Sequence, residues 1–186
     1  NIIFTMFLAG AVFILFIYHL WIFLLRRNEK AALWFGILCF IVLLRTLQIN
    51  ERIFYYFFAD FNMNIGYRIE YLTMFSLSPL FFALYFFYLF EISISKTVLK
   101  IISGISFIEV IIVLLSPTQF YTSLVIVFQI IFYALLIYFF ILTFKQIANG
   151  TQGARILLIS WVVLLLSGLN DILYLNLIIN STQISH

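Results

Sequence analysis

Charge is nearly absent from long stretches of this chain and gathers at the breaks between them. Residues Ile2–Leu25 contain no Asp, Glu, Lys or Arg, and the run then stops at Arg26-Arg27-Asn28-Glu29-Lys30. A helix needs ~20 mostly apolar residues to cross the hydrocarbon core of a bilayer. A soluble fold of 186 residues could not hide several such runs, because it still exposes roughly a third of its unfolded surface. The composition agrees: 66% hydrophobic and 9% charged, against roughly 25% charged in ordinary soluble domains. A soluble enzyme, a disordered chain and a disulfide-stapled secreted domain are excluded together. Few glycines and two prolines point to long helices rather than turn-rich strands. The expected class is an all-α integral membrane bundle.

Six spans follow from the breaks: residues 2–25, 31–49, 67–90, 98–115, 120–144 and 155–179. They form a single transmembrane helical domain. The fourth ends at Ser116-Pro117, and the fifth at Lys145 and the turn-forming Ala148-Asn149-Gly150-Thr151-Gln152-Gly153. Lys and Arg favour cytoplasmic loops. Arg26, Arg27 and Lys30 lie in the first loop, Lys96 and Lys100 in the third, and Lys145 and Arg155 flank the fifth. Odd loops are therefore expected inside and even loops outside, in a multi-pass protein with both ends of this piece on the outer face. The stretch Gln48–Gly66 holds Phe54-Tyr55-Tyr56-Phe57-Phe58, aromatic residues suited to the membrane–water boundary. It is expected either to anchor spans two and three or to form a docking face for an outer domain. The first residue is Asn1 rather than Met, so the chain reads as part of a longer or processed one.

Charged groups inside spans are costly, roughly 2.5–3.5 kcal/mol each at mid-membrane on insertion scales, and usually face the protein interior. Arg45 lies about 20 Å up span two and Asp171 about 24 Å up span six at ~1.5 Å per residue. Glu70 lies in the first turn or so of span three, with Tyr71 beside it, and Asn170 adjoins Asp171. Arg45, Glu70, Tyr71, Asn170 and Asp171 thus read as one ion-pair and hydrogen-bond layer joining spans two, three and six, since pairing offsets most of the burial cost. Such a layer is either packing glue or an element with two discrete arrangements. Glu109 stands alone in span four, a pattern that fits a proton or ion path, a protonated group, or a hydrogen bond to Gln129 or a serine. His19 on span one has no second ligand near it in sequence and reads as packed or hydrogen-bonded.

Signals for catalysis are weak. No His pair at i, i+4 occurs, so the zinc-protease pattern is missing. Gly104-Ile105-Ser106 superficially resembles an intramembrane serine-protease motif, but that chemistry needs a base close to the serine. Gly150-Thr151-Gln152-Gly153 lacks the lysine of a phosphate cradle. The lone Cys39 reads as a small buried thiol. No metal and no cofactor is expected, and the scattered net charge of +3 suggests no nucleic-acid partner.

Several short pieces occur in a telling order. They are Tyr18-His19-Leu20, Leu24-Leu25-Arg26-Arg27-Asn28-Glu29-Lys30, Leu33-Trp34-Phe35-Gly36 and Leu44-Arg45-Thr46-Leu47. Then come Phe58-Ala59-Asp60-Phe61, Arg68-Ile69-Glu70-Tyr71-Leu72, Gly153-Ala154-Arg155 and Leu169-Asn170-Asp171-Ile172-Leu173. In that order the chain resembles the membrane region of the bacterial seven-transmembrane receptors with diverse intracellular signalling modules. The resemblance implies a receptor with an outer sensor domain before the first span and a cytoplasmic effector after a seventh. This chain shows neither domain and lacks a seventh span. The resemblance also implies an inner-membrane protein whose output works in pairs, hence a homodimer.

The leading expectation is a non-enzymatic signal relay that couples an extracytoplasmic ligand or sensor domain to a cytoplasmic effector of the same parent chain. Two alternatives stand beside it. One is an ion- or proton-coupled transporter or channel, resting on Glu109 and the charged layer. The other is an integral-membrane transferase or protease, resting on Ser106 and His19.

Overall fold

The computed structural model describes residues 2–48, 62–90, 94–151 and 153–162, and all of its regular structure is helical. Five helices are long and apolar enough to cross a membrane. The aromatic stretch Phe54–Phe58, Asn170, Asp171 and most of the expected sixth span lie outside the described residues.

Two compact units divide the chain, Asn1–Tyr133 and Ala134–His186. In the first, α1 (Ile2–Leu25) is apolar all round, and Thr5 and Ala9 are its buried residues. Arg26-Arg27-Asn28 ends it, and α2 (Lys30–Gln48) returns against it. The close approach is permitted by Gly36. A Cβ there would lie 3.5 Å from the Cβ of His19 and 3.6 Å from the backbone nitrogen of Leu20. Alanine would fit at ordinary contact distance, and a larger side chain would have to displace its neighbours on α1.

Helix α3 runs from Met63 to Leu89. It starts one turn before the Tyr67 expected from hydropathy, because Asn62 caps it: its side-chain oxygen accepts from the Asn64 backbone N–H at 2.9 Å. Midway, Leu72–Leu77 is wound as a π turn, and the α-helix resumes at Ser78. Pro79 supplies the reason. Proline has no N–H to donate and its ring collides with the carbonyl one turn back, so the helix must widen or kink. The freed backbone is partly re-satisfied locally. The Ser78 backbone N–H and hydroxyl both donate to Thr73 O. The Thr73 hydroxyl donates to Ile69 O at 2.7 Å and Glu70 O at 3.1 Å. Serine, threonine and π adjustments of this kind are how proline is tolerated inside a spanning helix.

Helix α4 (Lys96–Leu115) is capped by Ser95, whose hydroxyl oxygen accepts from Val98 N–H at 3.2 Å, and it stops before Pro117. The next span was expected as one run over 120–144. The structure instead gives a short α5 (Thr118–Ser123), a break at Leu124, and α6 (Val125–Ala148). The hydroxyls of Thr122 and Ser123 donate to carbonyls of their own turn, Thr118 O at 2.8 Å and Phe120 O at 2.6 Å. Such bonds compete with the regular helical ladder. In this first unit α2 and α4 both pack on α3.

The second unit holds the rest of α6 and α7 (residues 154–162). Gly150, at φ +72°, closes α6 with bonds from its N–H to Ile147 O (2.9 Å) and from Thr151 N–H to Gln146 O (3.0 Å). This is the double closure that favours a left-handed glycine. The pair is fastened by Trp161, whose indole N–H donates to the buried Thr143 hydroxyl at 3.2 Å, and by ring contact with Phe140.

Candidate functional site

The two halves of α3 on either side of the π turn are held by different chemistry. In the first half Arg68 reaches across to the C-terminus of α4. Its Nη1 donates to Leu114 O at 2.9 Å and its Nη2 to Ser116 O at 3.3 Å. These are carbonyls that the end of α4 leaves without helical partners, and a cation there also complements the helix dipole. One turn on, Tyr71 meets Tyr121 of α5 edge to face at 5.1 Å and Phe75 at 5.6 Å. Phe75, Val113, Tyr121 and Phe128 form a buried cluster around them. The Tyr121 hydroxyl is buried there with no hydrogen-bond partner.

The second half is held against α2 by rings. Phe35 of α2 packs on Tyr85 at 5.1 Å, and Trp34 packs on Phe81 at 5.8 Å and on Tyr88 at 6.4 Å, nearly parallel to the latter. Lys30 Nζ lies 5.4 Å over the Tyr88 ring. His19 joins α1 to the same set. Its Nδ1 donates to Leu15 O at 2.9 Å, and its ring lies 4.6 Å from Phe35.

Between the halves, Ser76 of the π turn is fully buried and Glu109 of α4 is 3% exposed. The two side chains engage each other, yet Ser76 Oγ and Glu109 Oε1 both lack a well-formed hydrogen bond. Ser106 is also buried, one turn before Glu109 on the same face of α4. Gln129, the other partner considered for Glu109, is exposed on α6.

Of the expected polar layer, Arg45 is half-buried near the end of α2, and Glu70 and Tyr71 are half-buried in the first half of α3, against which α2 packs. Beside Arg45, Thr46 and Gln48 are buried. Asn170 and Asp171 lie outside the described residues. Among the described residues no group of three or more His, Cys, Asp or Glu side chains gathers as a metal site would require. Cys39 is buried and free.

Three features escaped the sequence reading. Arg68 entered there only within the piece Arg68-Ile69-Glu70-Tyr71-Leu72, although a cation in the second turn of a helix is well placed to cap the end of a neighbour. Ser76 looked like one hydroxyl among many. The π turn had one legible signal, Pro79 in the middle of an apolar run. A family model described as 7TM diverse intracellular signalling matches residues 1–186. No curated relative and no solved structure matches the chain.

Proposed function

Because the chain belongs to the 7TM diverse intracellular signalling family, we propose that it is the transmembrane relay of a bacterial inner-membrane receptor. In this reading the end of the bundle bearing Lys30 and Lys96 faces the cytoplasm and the end bearing Arg68 faces outward. An outer sensor domain or ligand acts on the Arg68 end. A cytoplasmic effector of the same parent chain, working in a homodimer, receives the change. The relay itself performs no chemistry.

The observation that carries this reading is the π turn of α3, followed by Pro79 and set between two differently held halves. A π turn and an α turn of the same residues differ by one residue of register, so the segment offers two discrete arrangements rather than a continuum. An outside event shifts their populations only by its differential affinity for the two. Moving a relay from 1:99 to 99:1 requires about 5.5 kcal/mol of such difference. The charged layer of Arg45, Glu70, Tyr71, Asn170 and Asp171 is proposed as the outer contact that rearranges with it.

Replacing Pro79 by alanine restores a backbone donor and removes the reason for the π turn. In the full-length receptor, Pro79→Ala is expected to lock the output in one state, with membrane insertion and abundance retained. Output that still follows the stimulus as in the wild type would end this reading. For the layer, Arg45→Glu is expected to abolish signalling, and Glu70→Arg or Asp171→Arg to restore part of it. Rescue by neither second change would remove the layer from the mechanism.

A further inference from the structure

The relay reading does not use Glu109, and the physics of its surroundings demands a use. It lies fourteen residues into α4, about 20 Å along the axis at ~1.5 Å per residue. The Ser76 hydroxyl is the polar group that engages it. Among the described residues no charged group is paired with it; Arg45, half-buried on α2, belongs to the other helix that packs on the π turn. On α4 the nearest is Lys100, nine residues back or about 13 Å along the axis. On α3, Glu70 and Tyr71 precede Ser76 by six and five residues, about 9 and 7 Å of rise, and Tyr85 follows it by nine, about 13 Å. Tyr67 and Arg68 lie still further along, with Arg68 committed to Leu114 O and Ser116 O. Tyr88 is against Trp34 and Lys30, and Tyr121 of α5 is against Tyr71. An ionised carboxylate so placed, with no cation paired to it among the described residues, carries a large desolvation cost. One bound positive charge removes it.

Both halves of such a site are present. Glu109 Oε1 and Ser76 Oγ are buried oxygens without a well-formed partner, on two helices that pack together, and the two side chains interact. Ser106 adds a third buried oxygen from the same face of α4. One carboxylate supplies one negative charge, which matches a monovalent cation. A divalent ion would leave an uncompensated charge and needs six or more oxygens in the case of calcium.

We propose that Glu109 and Ser76 form an intramembrane binding site for a single monovalent cation, a proton or Na⁺. The site joins α4 to the π turn of α3. With the cation bound, the carboxyl and the hydroxyl are bridged and the π turn is tied to α4. With it lost, the carboxylate charge is uncompensated and the two helices are no longer held at this level. The site deepens the relay reading by its position, but its occupancy is measured without any signalling output, so either can fail alone.

The test uses the full chain in lipid nanodiscs with dicyclohexylcarbodiimide, which modifies protonated carboxyls in apolar surroundings, followed by peptide mass mapping. Glu109 is expected to be labelled at low pH, with labelling falling about tenfold per pH unit above a midpoint, as a single carboxyl titrates. Glu109→Gln, a neutral isostere that retains the packing, is expected to lose the label completely. Ser76→Ala is expected to shift the midpoint while leaving the fold intact by circular dichroism. At fixed pH, protection by Na⁺ but not by choline marks sodium as the bound ion, and no protection by Na⁺ marks the proton; both outcomes support the site. A Glu109 that resists labelling at every pH with and without Na⁺, or a midpoint and protection pattern unmoved by Ser76→Ala, would overturn it. An infrared carboxylic C=O band that vanishes in Glu109→Gln gives the same reading independently of reagent access.

Discussion

The two halves of α3 are bound to their neighbours in opposite ways. Near Arg68 two guanidinium bonds to the end of α4 add polar, directional contacts to a ring cluster in which Tyr71 meets Tyr121 at 5.1 Å. Beyond Pro79 they are ring contacts to α2, at 5.1 to 6.4 Å and with interplanar angles from 18° to 49°. Charge-assisted bonds have a narrow optimum of distance and angle, while offset and tilted ring pairs tolerate sliding. A helix with a π turn between these halves is therefore pinned at one end and free to adjust at the other. That asymmetry suits an element that turns a local event into a shift along its length.

If pinning is real, Arg68→Ala should be the most damaging of the simple changes. It removes two bonds from a charged donor and orphans carbonyls of α4. The expected loss is about 2–3 kcal/mol of helix association, discounted toward the lower figure because the Leu114 bond is exposed. Reversible unfolding in mixed micelles measures it, and a loss equal to that of a lipid-facing control such as Ile108→Ala would show that the first half is not pinned. Gly36→Leu tests whether the ring-packed side depends on close approach of α1. Overpacking there is expected to cost about 2 kcal/mol, with Gly36→Ala near neutral. Equal effects of the two would mean that the α1–α2 contact is looser than its 3.5 Å geometry implies.

Smaller effects sharpen the contrast. Tyr88→Leu removes the ring under Lys30 and the stack on Trp34, for an expected loss of about 0.5–1 kcal/mol. Tyr121→Phe removes a buried hydroxyl that has no partner while keeping its ring against Tyr71. It should be neutral or stabilising by up to about 1 kcal/mol. A clear destabilisation would mean that the Tyr121 hydroxyl, and not only its ring, holds the first half together.

Much of the architecture was open to reading from residues alone. Ile2–Leu25 and Lys96–Leu115 could be bounded closely because charge and proline end them abruptly. Span starts were less legible where a cap sits outside the apolar run, as Asn62 does before α3. The break at Leu124 was hidden for a related reason: hydropathy passes smoothly through Thr122-Ser123-Leu124, while the hydroxyls redirect the backbone. Among the site residues, Glu109 stood out by charge alone, but its neighbour did not. The twenty-seven residues of α3 include three serine or threonine hydroxyls, those of Thr73, Ser76 and Ser78, and only the fold decides that Ser76 is the one brought to the carboxyl.

The order of apolar runs and charged breaks determined by itself that this chain is a bundle of membrane helices, because the bilayer admits almost no other solution for such a sequence. Which side chains meet was decided only by the folded molecule. Helix rotation, the one-residue slip at the π turn and the reach of Arg68 to carbonyls 46 and 48 residues away depend on contacts between helices. No periodicity within a single run encodes them, since every face of an apolar helix is equally content in lipid.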